Sequence, residues 1–376
     1  MDHRKLARLL VLVSVLWIVS NVVLVVQPQT ASSVIAALAP TAMPQSMLRS
    51  PSTLSHVYLP FVACAGCPPP APAMTTSRYI VTTSLSQMDT AGCNQGLAGE
   101  SGQVILDFGY PFQDSYTGYY GTKLLRYPDY PFVDSLSEEH LAVDFMLGWA
   151  RCAPSNTTLE VALGLNNSSK YWQFTADHAQ DWASMTSDLA SIVSGDSRLV
   201  GRVSVAGAMD IEFDWNGPTI TRQWVDAFDP GWLVPFYNFG SCDSCPWFQY
   251  PAWQPLNGWS NEDIYYVSSR QSNNGTTNLP FPEIYKTNTE NADQWYRVSL
   301  YGVNKPSNPL YFRGTLTQYY ACQDNNNWND CLAAGTYNTA AQGWTQLWQA
   351  LNVNPQTALG APIVSSDIRW SITNVR

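Results

Sequence analysis

Asp210, Glu212 and Asp214 occupy every second position of GAMDIEFDWNGP, residues 207–218, inside an otherwise apolar run. Side chains two apart on a β-strand share a face, so the three carboxylates point one way and Met209, Ile211 and Phe213 the other. Acids spaced like this have Cα atoms roughly 6.5 to 7 Å apart. Partly desolvated like charges at that range push one pKa upward and leave the other ionised. A general acid beside an anionic stabiliser needs that arrangement. Glu212 is the candidate general acid and Asp210 its partner. Asp214, followed by Asn216-Gly217-Pro218, reads as a turn acid first and a substrate contact second.

The strand that positions these acids has Ser204, Ala206 and Ala208 on the same face, small and neutral below the carboxylates. Val203, Val205, Met209 and Phe213 on the other face are suited to packing on helices. From residue 78 onward, apolar runs of strand length recur between Gly, Asn, Asp and Pro. They are RYIVTTS, QVILDFG, LEVALGLNNS, RVSVAGAMDIEFDW, LVPFYNFG, DIYYVSS, LPFPEIY and GTLTQYYA. Amphipathic helical patterns lie between several of them: SLSEEHLAVDFMLGWAR, ADHAQDWASMTSDLASIV, TITRQWVDAF, NADQWYRVSLYGV and TAAQGWTQLWQALN. Ser135 and Asp177 stand at N-cap positions, and Glu138 would complete a capping box with Ser135. Eight strands alternating with helices predict an α/β fold, an irregular (β/α)8 TIM-like barrel, with no helix expected between the first two runs. Active sites of such barrels lie at the carboxyl ends of the strands. Asp107, Asn166, Asn167, Tyr237, Asn238, Ser268, Glu283, Tyr285 and Gln318 stand at those ends and are candidate substrate contacts. Trp215, Trp247, Trp253 and Trp259 are candidate stacking platforms.

The rest of the chain bounds the function. Residues 1–30 carry Arg4, Lys5 and Arg8 ahead of an apolar stretch over 9–26, the pattern of a signal peptide or a signal anchor. Residues 31–77 are a linker rich in Pro, Ala and Ser, and 78–376 form the barrel domain. The expected location is therefore secreted, or anchored to the outer face of the membrane through residues 9–26. Eight cysteines fit an oxidising compartment, and proximity in sequence pairs Cys64 with Cys67, Cys93 with Cys152, Cys242 with Cys245 and Cys322 with Cys331. A net charge of −10 argues against nucleic acid as a partner. His140 and His178 are the two histidines of the barrel region, both on helical patterns and expected to face solvent or cap. With them so placed, and with no HExxH, GxSxG or P-loop, neither a metal ligand set nor a cofactor is implied.

The Asp210-Ile211-Glu212 element resembles the Asp-x-Glu of muramidase-like barrels and, less closely, the alternating acids of chitinase-like barrels. More widely, DIE with WN, YN-G-x-C, YYVS, PEIY with NADQW, and TQYYAC are similar to a group of secreted bacterial glycoside hydrolase-like barrels, over residues 78–376. The resemblance implies a monomeric protein acting on a cell-wall or extracellular polysaccharide by carboxylate acid/base catalysis. The alternative is a non-catalytic carbohydrate-binding or surface structural protein on the same barrel.

Overall fold

The computed structural model describes residues 68–170, 174–228, 234–252, 254–270, 278–324, 327–359, 363–372 and 374. Eight parallel strands form one sheet: β1 (Thr75–Tyr79), β2 (Gly102–Asp107), β6 (Leu159–Asn166), β7 (Val203–Asp210), β8 (Phe236–Asn238), β9 (Asn278–Pro280), β10 (Gly314–Thr317) and β11 (Val364–Arg369). Their spatial order is β10-β11-β1-β2-β6-β7-β8-β9. A single parallel bridge between Glu283 and Leu316 brings the free edges together, with Leu316 N–H donating to the Pro282 carbonyl at 2.9 Å. The result is an irregular, nearly closed (β/α)8 TIM-like barrel.

Alternation along the strands builds two apolar layers. Ile105, Ala162, Ala206, Ala208, Tyr237, Phe281, Leu316 and Ile368 fill the barrel interior. Their neighbours in sequence, among them Val104, Leu106, Val161, Leu163, Val205 and Met209, pack outward on the helices. The expected faces of the acidic strand are therefore present, but the strand ends at Asp210.

Several sequence expectations are corrected. The run IYYVSS lies in a helix, Asn261–Ser269, because Ser260 and Asp263 form a capping box that starts it; its aromatic and β-branched content suggested a strand. The eighth strand is instead VSSDIR, hidden by its polarity: Ser366 bonds Ser77 on the adjacent β1 at 2.7 Å, and Asp367 accepts from the backbone of Tyr319 and Tyr320. A helix, α1 (Leu85–Leu97), does follow β1 and packs on α2 (Ser135–Cys152). Gly92 and Gly148 permit that crossing, since a Cβ on either would meet backbone oxygen of the other helix at about 2 Å. The N-caps are Asp134 and Thr175, one and two residues before those expected, and Ser135 hydrogen-bonds Asp181 instead. His178 is also corrected: it is buried, with Nε2 2.8 Å from the Gly121 carbonyl, while His140 is exposed.

A small antiparallel sheet, β3 (Tyr110–Gln113), β4 (Tyr120–Lys123) and β5 (Phe132–Asp134), is inserted after β2. Disulfides join Cys93 to Cys152, Cys242 to Cys245 and Cys322 to Cys331, as expected from proximity; Cys64 and Cys67 lie outside the described residues. Among the described residues no helix is long and apolar enough to cross a membrane. The expected membrane anchor, and with it the anchored location, is withdrawn on that finding; residues 9–26, on which it rested, lie outside the described residues.

Candidate active site

Asp210 is the last residue of β7, and Glu212 follows after the ladder has ended. Asn167, just past β6, extends the strand geometry to it: Asn167 Nδ2 donates to the Glu212 carbonyl at 3.0 Å and Oδ1 accepts the Glu212 N–H at 3.0 Å. Ile211 and Phe213 stay buried on the helix side, so Glu212 keeps the barrel side with Asp210. Gly240, past β8, lies so close to this segment that a Cβ there would meet the Ile211 carbonyl oxygen at 2.3 Å. That approach brings Ser241 to Glu212, where its N–H donates to Oε1 and its hydroxyl to Oε2, each at 2.8 Å.

Glu283 enters from the chain beyond β9, and Tyr285 O–H donates to its Oε1 at 2.6 Å. Asn291 Oδ1 accepts the backbone N–H of Tyr285 and of Lys286, fixing this arm as Asn167 fixes the other. Asp210, Glu212 and Glu283 thereby each bring a carboxylate oxygen within 4.8 Å of the others. Asp210 and Glu283 are each 8 % exposed.

Burial and mutual repulsion set the proton order. Desolvation raises Asp210 well above the carboxylate range, and the charges of Glu283 and Glu212 add to it. Desolvation and the charge of Glu212 do the same for Glu283, with the Tyr285 hydroxyl opposing them. Glu212 is raised by burial only to about 7, because both donations from Ser241 pull it down. Asp107, inside the barrel, is raised by burial to about 7 against one donation from Gly109 N–H. Glu212 is therefore the member of the triad that ionises first. As an all-oxygen set the three also suit a hard divalent cation, a role not implied by the sequence.

A cavity of about 260 Å³ opens over the triad, lined also by Tyr79, Trp215, Ser241, Asp243, Tyr285 and Lys286. A second lobe of about 250 Å³ adjoins it, lined by Phe213, Asp214, Ser244, Leu256 and Glu290 and sharing Glu212, Asp243 and Lys286 with the first. Glu212 thus stands where the two lobes meet. Tyr79 stacks on Trp370, with ring centroids 4.1 Å apart. Lys286 Nζ is engaged by Glu290 at 2.7 Å and Asp243 at 3.1 Å.

Of the residues expected at the mouth, Asp210, Glu212, Glu283, Tyr285 and Trp215 line the first lobe and Asp214 the second. Asp107 and Asn166 are buried beneath, each closing a backbone turn, to Gly109 and Ser168. Tyr237 points into the barrel toward the other end of the sheet, donating to Glu160, which also pairs with Arg313. Asn238 turns outward to Ser268, and Gln318 bonds the Thr336 carbonyl. Trp247 and Trp259 are packed in the core, and Trp253 lies outside the described residues. Ser241, Asp243, Lys286, Asn291 and Tyr79 were not expected; Lys286 beside Tyr285 and Ser241 beside Cys242 were the available signals.

The chain matches no family model and no curated protein. Neither comparison supports the glycan partner that the sequence resemblance implied. The architecture is a TIM-barrel-like fold compatible with hydrolase-type chemistry.

Proposed function

We propose that the barrel hydrolyses an O-glycosidic bond, with Glu212 and Glu283 as its reacting carboxyls and Asp210 tuning them. The observation that carries this reading is the triad itself: three carboxyls within 4.8 Å at the carboxyl end of the barrel, with only Glu212 held by two donors. Glu283, kept protonated by burial, is the proton donor, and Glu212 is the ionised member. The sequence alone gave Glu212 the acid's role; the bonds from Ser241 favour the exchange.

The spacing of Glu212 and Glu283 fits the pair of a retaining glycosidase, about 5 to 5.5 Å, better than the wider gap of an inverting one. In the first step a Glu212 oxygen bonds the anomeric carbon while the glycosidic C–O bond breaks. Its electron pair goes to the leaving oxygen, which takes the Glu283 proton. Water then attacks the anomeric carbon, giving its proton to the Glu283 carboxylate and releasing Glu212. The position of Glu212 between the lobes supports binding of one sugar on each side of the cleaved bond.

The test is a panel of purified polysaccharides with reducing-end detection, followed by NMR of the first product formed. Hydrolysis with retained anomeric configuration is expected. Release from none of them sinks the reading, and an inverted first product removes Glu212 as nucleophile.

A further inference from the structure

We propose that the glycoside accepted at this mouth carries a free, protonated amine: the substrate class is an oligosaccharide of unacetylated amino sugars. The inference rests on the glycosidase reading and specifies its substrate.

Six carboxyl side chains line the two lobes, and Lys286 is the one basic residue among the lining residues. Its ammonium is already held between Asp243 and Glu290, leaving the triad without a cation of its own. Asp210 Oδ1 is buried with no hydrogen-bond partner, on a residue that lines the cavity. A buried acceptor left unpaired costs about 1–3 kcal/mol until something donates to it. A neutral sugar hydroxyl can donate one bond there, but it leaves the charge of ionised Glu212 unanswered. An ammonium on the sugar supplies three donors and the compensating charge together. An N-acetyl group replaces that charge with a neutral amide. The first lobe is also walled by Tyr79, Tyr285 and Trp215, aromatic side chains suited to the apolar face of a sugar ring and to a cation over it. Asp214 and Asp243 extend the same sign of charge into the second lobe, so a polymer with an amine on every ring is matched along its length.

The experiment compares binding and cleavage of three hexasaccharides by the full chain: glucosamine hexamer, N-acetylglucosamine hexamer and cellohexaose. It is run at about pH 7, where Glu212 is half ionised and an amine of pKa about 7.7–8 holds its proton. The amine hexamer should bind at least about tenfold tighter than either neutral one, the size of one charge-assisted hydrogen bond. Its affinity should weaken with added salt. Asp243→Asn, a change at a half-exposed side chain, should weaken the amine hexamer several-fold more than either neutral one. Cleavage or binding of the neutral hexamers equal to or better than the amine hexamer overturns the inference and leaves the glycosidase reading standing. Tight binding of the amine hexamer with no hydrolysis of any glycan removes the glycosidase reading, and the substrate inference with it. Titration with calcium alone closes the alternative: tight calcium binding with no preference for the amine hexamer assigns the triad to a metal ion and overturns the inference.

Discussion

Ser241 holds both oxygens of Glu212, its backbone N–H on Oε1 and its hydroxyl on Oε2, each at 2.8 Å. No other member of the triad has two such donors: Glu283 accepts from Tyr285, and Asp210 Oδ1 has no partner. The three acids share one buried space, so this asymmetry decides which of them carries the negative charge.

Removing the Ser241 hydroxyl should shift the charge on Glu212. Both donations lower its pKa, so losing one raises it. In Ser241→Ala the rising limb of the kcat/KM profile, set by Glu212 near pH 7, should move up by roughly one pH unit, the size of one hydrogen bond to a charge. A lower rate with an unmoved limb contradicts the role given to Ser241.

Glu283→Gln should lose about 10² to 10⁴ in rate on a natural glycoside, whose leaving oxygen needs a proton. An aryl glycoside with a good leaving group needs none, and its first step should be nearly unaffected. Tyr285→Phe should move the falling limb upward, because the Tyr285 hydroxyl lowers the Glu283 pKa. Equal loss on both classes of substrate contradicts Glu283 as the acid.

The buried acids also make stability depend on pH. Asp107 and Glu212 sit at about 7 and Asp367 at about 6, all raised by burial, and Asp210, Glu283 and Glu138 are raised as well. A group whose folded pKa is raised binds its proton more tightly in the native state. The stability it contributes is fully present below its unfolded value, about 4, and is lost as pH rises through the folded value. The denaturant midpoint should therefore fall from about pH 4 through pH 7, and level off only at higher pH, once Asp210, Glu283 and Glu138 have ionised. A midpoint rising across that window contradicts the burial account.

Much of the barrel was legible because apolar runs of strand length, such as those in GQVILD and LEVALGLN, are buried on both faces between sheet and helices. The exceptions have local causes. VSSDIR buries its polar side chains in bonds to β1, β10 and the start of the helix that follows β10, so no apolar pattern marks it. At the mouth, Asp210 and Glu212 were visible as alternation, and Glu283 stood at an expected strand end. Their closeness was not visible, since it depends on β7 and β9 meeting across β8. Tyr237 and Asn238 were misplaced because β8 is only three residues long: Tyr237 turns inward below the mouth and Asn238 outward to Ser268. Asn167 and Ser241 act through backbone and carboxylate bonds that no spacing in the chain announces.

The central claim is that the Glu212 carboxylate does the chemistry at this mouth. Its most direct test is the hydrolysis rate of Glu212→Gln against the wild-type chain on a glycan the wild type cleaves, with unfolding midpoints matched to confirm the fold. The account predicts a fall of at least about 10³-fold with binding retained. A variant that keeps the wild-type rate contradicts it.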